Sequence, residues 1–276
     1  MKRLVPFLVP AAALAGCFST SQPAPRSLGE PVATTRVTSA LTGAVADVAV
    51  DPGSGDVVLL SGEPETYDTY GMPLATGKST LSLIERGSGR VLGEVLTDIH
   101  TDHLGATAPG RVMVSDGVEK HFEVDLVAGT ATAFTGLLEA ADHAPYTLDA
   151  DGGEVLMAGG DGEVVAIESW PCPPSEIGFW TGKGADRRLT RSAPLPLSIG
   201  SVSDIAYAQD RGALFLVTNR GLVALDATTG DKVAEYDDTS TWFDGPHIAY
   251  DPVTQRLLVA TGKAELGGLR IDEYQL

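Results

Sequence analysis

The sequence predicts an all-β protein: a β-propeller of about five four-stranded blades, closed by an N-terminal strand. Three observations predict it. An apolar strand, a turn rich in Asp and Gly, and a second apolar strand recur together with starts about 40–55 residues apart. No segment sustains a helical period, which excludes α/β folds. The 276 residues are 43% hydrophobic and 20% charged, enough to bury a core and incompatible with a disordered chain or a coiled coil. The alternative arrangement of so many short strands is a β-sandwich.

The first sixteen residues stand outside this pattern. Lys2 and Arg3 precede an apolar stretch, Leu4 to Leu14, that is broken by Pro6 and Pro10 and too short to span a bilayer. It ends in Leu14-Ala15-Gly16-Cys17. This arrangement resembles a bacterial lipoprotein signal peptide. The resemblance implies cleavage after Gly16 and acylation of Cys17, anchoring the protein to a lipid bilayer of the bacterial cell envelope. Several acyl chains hold a protein firmly where one does not. Phe18 stands where an Asp would imply inner-membrane retention, so the same resemblance favours the outer membrane in a diderm host. Residues 17–33 are rich in Ser, Pro and Ala and read as a flexible tether, and residues 34–276 as the propeller domain. Loss of Lys2 and Arg3 would take the net charge from −18 to −20. That acidity argues against nucleic acid as a partner. With Cys17 acylated, Cys172, the second of the two cysteines, has no partner for an internal disulfide.

The blades follow in order. Blade one spans about 45–98, blade two 103–137, blade three 143–195, blade four 202–238 and blade five 245–276. Asp51-Pro52-Gly53, Gly87-Ser88-Gly89, Ala128-Gly129, Asp151-Gly152-Gly153 and Thr229-Gly230-Asp231 supply the hairpin turns. Blade five has only three strands of its own, at 247–251, 256–261 and 268–275. Residues 34–42 alternate apolar and polar and are expected to provide the fourth, closing the ring and hiding its edges. Over Ser203 to Asp237, the order strand, Asp226-x-x-Thr229-Gly230 turn, strand resembles the YVTN and PQQ-like β-propeller repeat families. That resemblance implies fold rather than function.

Catalytic signatures are missing from the sequence: no G-x-S-x-G, P-loop, His-Glu-x-x-His or Cys-x-x-Cys. Asp149 to Glu154 lacks the spacing of a calcium loop and reads as a tight turn. A quinone-dependent dehydrogenase is disfavoured by the lack of stacking Trp repeats and vicinal cysteines. Aligning the blade starts gives a more informative set. Asp47, His103, Asp204 and His247 stand at the beginning of the innermost strand in four blades, and His143 lies two residues before the corresponding Pro145. Such positions ring the mouth of a propeller channel. Carboxylates and imidazoles there can line it with water or hold a divalent metal such as Zn²⁺ or Mn²⁺.

Two segments are longer than hairpins require. The run 63–78 carries Tyr67, Tyr70 and Met72. The run 169–181 carries Trp170, Trp180 and a stiff Pro-Cys-Pro-Pro. Both read as loops with side chains suited to a protein or glycan partner of the envelope. Cys172 has no nearby His or Lys to activate it. Two functions are therefore expected: a tethered binding or scaffold module, or, as the alternative, a metal-dependent hydrolase of the lactonase type with its site at the channel mouth. Related propellers include lactonases, and no catalytic set carries over.

Overall fold

The computed structural model describes residues 26–37, 44–64, 77–97, 103–115, 120–135, 146–148, 154–159, 163–168, 176–181, 188–196, 198–239, 246–262 and 268–276. Strand β1 (Ala33–Arg36) is followed by five antiparallel sheets arranged as blades. Blade one is β2 (Ala44–Val50), β3 (Val57–Pro64), β4 (Gly77–Ile84) and β5 (Val91–Leu96). Blade two is β6 (His103–Ala108), β7 (Arg111–Ser115), β8 (Lys120–Asp125) and β9 (Thr130–Thr135). Blade three is β10 (Tyr146–Leu148), β11 (Glu154–Gly159), β12 (Glu163–Glu168), β13 (Glu176–Thr181) and β14 (Arg188–Pro194). Blade four is β15 (Val202–Ala208), β16 (Ala213–Thr218), β17 (Gly221–Asp226) and β18 (Lys232–Tyr236). Blade five is β19 (His247–Asp251), β20 (Arg256–Thr261) and β21 (Arg270–Gln275), with β1 as its outer strand. The five-bladed propeller is thus the observed fold, and the sandwich is excluded.

The ring closes as the strand count of blade five requires. β1 pairs antiparallel with β21, matching Thr34 to Asp272 and Thr35 to Ile271. The Thr34 hydroxyl donates to Asp272 Oδ1 at 2.5 Å. Gly89, at φ +72°, lets the β4–β5 turn reach this strand: a Cβ there would lie 1.8 Å from the Arg36 carbonyl oxygen.

Inner strands β19 and β2, β2 and β6, and β15 and β19 lie against one another around the axis. Their neighbours β3, β16 and β20 are buried on both faces, which explains their continuous apolar runs. Val57 and Leu59 face blade five while Val58 and Leu60 face blade two. Leu214 and Leu216 face blade three, and Phe215 and Val217 face blade five. Leu257 and Val259 face blade four, and Leu258 and Ala260 face blade one. Each apolar cluster therefore fills a seam between neighbouring blades rather than a single central core.

Three features depart from expectation. Blade three has five strands, not four. β11, not β10, lies beside the inner strand β15, so β10 is an extra strand on the axial side. Residues 149–153, expected as a tight turn, stand in sequence between β10 and β11. Residues 176–181 form β13 rather than the end of a loop: Ile177 and Phe179 alternate inward and are fully buried. Finally, residues 26–32, read as part of the tether, follow the rim. Arg26 N donates to Glu235 O at 2.8 Å, Asp237 N to Arg26 O at 3.0 Å, and Val32 N to Glu273 O at 2.8 Å.

Candidate functional site at the channel mouth

Two β-bulges shape the site. The register of β2 on β3 shifts between Val45 and Asp47, and that of β15 on β16 between Val202 and Asp204. A bulge re-aims a side chain out of the pleat. Here it turns each Asp along its own strand and toward the next blade. Asp47 Oδ1 accepts Val48 N at 2.7 Å, and Oδ2 accepts Leu104 N of blade two at 2.6 Å. Asp204 Oδ1 accepts Ile205 N at 2.7 Å, and Oδ2 accepts Ile248 N of blade five at 2.8 Å. The two carboxylates repeat one device: each braces its own strand and the inner strand of the following blade.

The carboxylate gives way to an imidazole at two blade starts, His103 in blade two and His247 in blade five. Asp47-Val48-Ala49, Asp204-Ile205-Ala206 and His247-Ile248-Ala249 are equivalent triplets at the start of an inner strand. A neutral imidazole offers one acceptor nitrogen, so His247 cannot bridge two amides as a carboxylate does. The Val48 N–H it would have to reach is already held by Asp47. His247 therefore replaces a bracing group with one suited to other chemistry.

Asp47, Asp204 and His247 converge, each offering a ligand-type atom such that all three atoms lie within 4.8 Å of one another. His247 Nδ1 is 3.4 Å from Asp204 Oδ2, with 21% and 14% of the two side chains exposed. Asp47 is the most buried of the three. Burial pushes its carboxyl well above the ordinary value and the neighbouring Asp204 adds to this; His247 and the Leu104 and Val48 amides oppose it. The cluster can hold a proton between carboxylates, or a cation.

The other expected site residues fall elsewhere. His103 begins β6 at the same position of its blade, one residue before the Leu104 amide that Asp47 holds. Cys17, Tyr67, Tyr70, Met72, His143 and Trp170 lie outside the described residues. Trp180 lies on β13, partly buried, with its indole over Gly178: Nε1 would stand 2.7 Å from a Cβ there. Its ring fills the space of the missing side chain.

A second polar cluster spans the seam between blades five and one. Arg86, on the β4–β5 turn, gives Glu273 a two-pronged grip, Nε to Oε1 and Nη2 to Oε2, each at 2.7 Å. It also pairs with Asp251. Arg256 Nη1 reaches Glu273 Oε2 at 2.8 Å, and Asp251 Oδ2 accepts the Thr254 hydroxyl at 2.5 Å. Burial works to raise both carboxyls, but these hydrogen bonds and the Arg86 charge hold them below their usual values. Sequence reasoning missed this cluster because its members are 165 and 187 positions apart. The one local signal is the Asp51-Pro52 and Asp251-Pro252 pair of turns. Asp51 grips the following blade likewise, its Oδ1 accepting Gly110 N at 2.5 Å.

These features define the class: a five-bladed propeller with carboxylates and an imidazole gathered at one end of its inner strands. No family model matches the sequence, and no curated protein matches it. Among solved structures, the chain is similar to a glutaminyl cyclase from Myxococcus xanthus, with TM-score 0.53 and 14% identity over 89% of this chain and 95% of that one. It is also similar to the β-propeller domain of Cps50 (Swd1) from Myceliophteria thermophila, with TM-score 0.48 and 13% identity over 90% of this chain and 99% of that one. At 14% identity the likeness to the cyclase speaks for the fold alone.

Proposed function

We propose that this chain is an envelope lipoprotein, anchored through acylated Cys17, whose propeller serves as a binding or scaffold module for an envelope protein or glycan. The observation that carries the reading is where the N-terminal segment joins the ring. Arg26 to Arg36 runs past the outer strand β18 and then forms β1, the outer strand of blade five, so an anchor at Cys17 would pull on the rim and leave the channel mouth clear. Eight residues separate Cys17 from Arg26. At full extension that stretch reaches about 30 Å, which would hold the rim of blades four and five close to the bilayer. Labelling with an alkyne fatty acid should tag the parent chain, and Cys17→Ala should lose the tag and move to the soluble fraction. An untagged parent chain would remove the anchor. For the binding role, Tyr67→Ala, Tyr70→Ala and Trp180→Ala should weaken capture of an envelope partner; unimpaired capture by all three would remove that role.

The Asp47, Asp204 and His247 cluster favours a second reading, a metal-dependent hydrolase acting on lactones or esters. The three side chains would hold the metal, and the metal would polarise a carbonyl or lower the pKa of a bound water. Hydrolysis of a lactone panel with added Zn²⁺ or Mn²⁺, abolished in His247→Ala, supports this reading. Inactivity across the panel counts against it.

A further inference from the structure

We infer that Asp47, Asp204 and His247 bind one divalent transition-metal ion, Zn²⁺ or Mn²⁺, as a staple across three consecutive blades where the ring closes. Asp204 belongs to blade four, His247 to blade five and Asp47 to blade one. A shared ion would tie the last two blades to the first at the inner end of the seam. The Arg86, Asp251 and Glu273 cluster ties the same seam farther along its strands.

The geometry suits such an ion. Two ligand atoms about 2.1 Å from a tetrahedral centre stand about 3.4 Å apart. His247 Nδ1 and Asp204 Oδ2 are 3.4 Å apart already, and Asp47 offers an oxygen within 4.8 Å of both, close enough for a small side-chain shift to complete the set. The carboxylates are oriented in advance by the amides of Val48, Leu104, Ile205 and Ile248. An oxygen that accepts one N–H keeps a lone pair for a metal, and outer hydrogen bonds of this kind fix ligand direction. Two blades use this position to brace the ring with a carboxylate, and blades two and five carry an imidazole there; that of blade five is set against the two carboxylates. One nitrogen and two carboxylates suit Zn²⁺ or Mn²⁺. Ca²⁺ asks for six to eight oxygens, more than the three side chains supply.

The staple bears on the hydrolase reading without resting on it. An ion here links the blades whether or not anything is hydrolysed, so a failed substrate screen leaves it standing. Absence of the ion removes both.

The test uses the full chain in detergent, without a histidine tag. The metal is stripped with chelator, then Zn²⁺, Mn²⁺ and Ca²⁺ are titrated separately by calorimetry, with thermal unfolding followed in parallel. The expected result is a single site for Zn²⁺ or Mn²⁺, weaker Ca²⁺ binding, and a melting temperature that rises with metal. At a hundredfold excess over Kd the folding equilibrium should shift by about a hundredfold. His247→Ala should weaken binding by at least about tenfold, since even outer-shell changes cost that much. Glu123→Gln, at a half-buried ion-pair residue of blade two, should bind like the parent. Asp204→Asn removes a brace as well as a ligand. His247→Ala and His247→Gln therefore carry the test, because neither removes a carboxylate brace. Affinity weaker than about 1 mM overturns the proposal. So does binding by both His247 variants that equals the parent's, because the metal would then sit elsewhere.

Discussion

Replacing Arg86 with Ala isolates the polar lock between the first and last blades. The Arg86 side chain is 16% exposed, and those of Asp251 and Glu273 are each 2% exposed. Removing the guanidinium strands two buried carboxylates. Glu273 keeps Arg256, and Asp251 keeps the Thr254 hydroxyl and the Val253 amide. Breaking a buried pair by deleting one partner costs roughly 3–5 kcal/mol, and the surviving contacts place this case at the lower end, about 3 kcal/mol. At about 2–4 °C per kcal/mol for a domain of this size, the melting temperature should fall by about 6–12 °C. The pH dependence gives the mechanism away. In the parent, both carboxyls are held below their usual values, so their contribution is present above the ordinary carboxylate range. It is lost as pH falls through the lowered folded values. In Arg86→Ala burial prevails and the same carboxyls should rise, so acid relieves the variant. Urea unfolding at a series of pH values should give a gap between parent and variant that is widest near neutrality and narrows below about pH 4. A loss under about 1 kcal/mol, or a gap flat with pH, would refute the reasoning.

Other outcomes follow from the same geometry. Asp47→Ala leaves the Val48 and Leu104 amides without their acceptor, costing about 2–4 kcal/mol and speeding exchange of the Leu104 amide. Gly89→Ala drives a Cβ into the Arg36 carbonyl at positive φ, so β1 should become the first segment cut in limited proteolysis. Leu59→Ala should cost about 2–5 kcal/mol in urea unfolding, because that side chain is fully buried in the seam with blade five. Burial and the hydrogen bond to Glu163 push the Tyr207 hydroxyl up to about 12, so ultraviolet titration should find a late tyrosine that shifts downward in Glu163→Gln.

Much of the fold was legible because propeller blades are local. Asp51-Pro52 and Asp226 to Gly230 mark hairpins by their own chemistry; Asp226 Oδ1 accepts both Thr228 and Thr229 amides. Val57 to Leu60 announces a strand buried on both faces. The exchanged strand followed from counting: blade five was one short, and the N-terminal segment alternated. What escaped was non-local or disguised. The prolines at 171–174 hid the two-residue period of β13, and nothing in 26–32 signals the carbonyl of Glu235 that it meets. Aligning blade starts pointed to Asp47, Asp204 and His247 together. It could not show that two of them are braces, since the amides they hold belong to another blade. The same alignment placed His143 at the start of blade three, where β11 rather than β10 stands beside β15.

The exchange of β1 into blade five also sets a schedule for folding. β1 is made early and its partner β21 last, with the register joining Ala33 to Glu273. Until β21 exists, the early strand has nothing to pair with, and the faces of β3 and β20 that meet across that seam stay uncovered. Contacts that distant in sequence form slowly. On the envelope reading proposed above, a chain threaded through a membrane from its N-terminus would wait, open-ended and prone to self-association, until β21 arrives. Removing β21 should cost more than one strand. It would leave β1 without a partner and the whole circle unlocked, and a chaperone that shields such a chain has its greatest effect just before the last strand arrives.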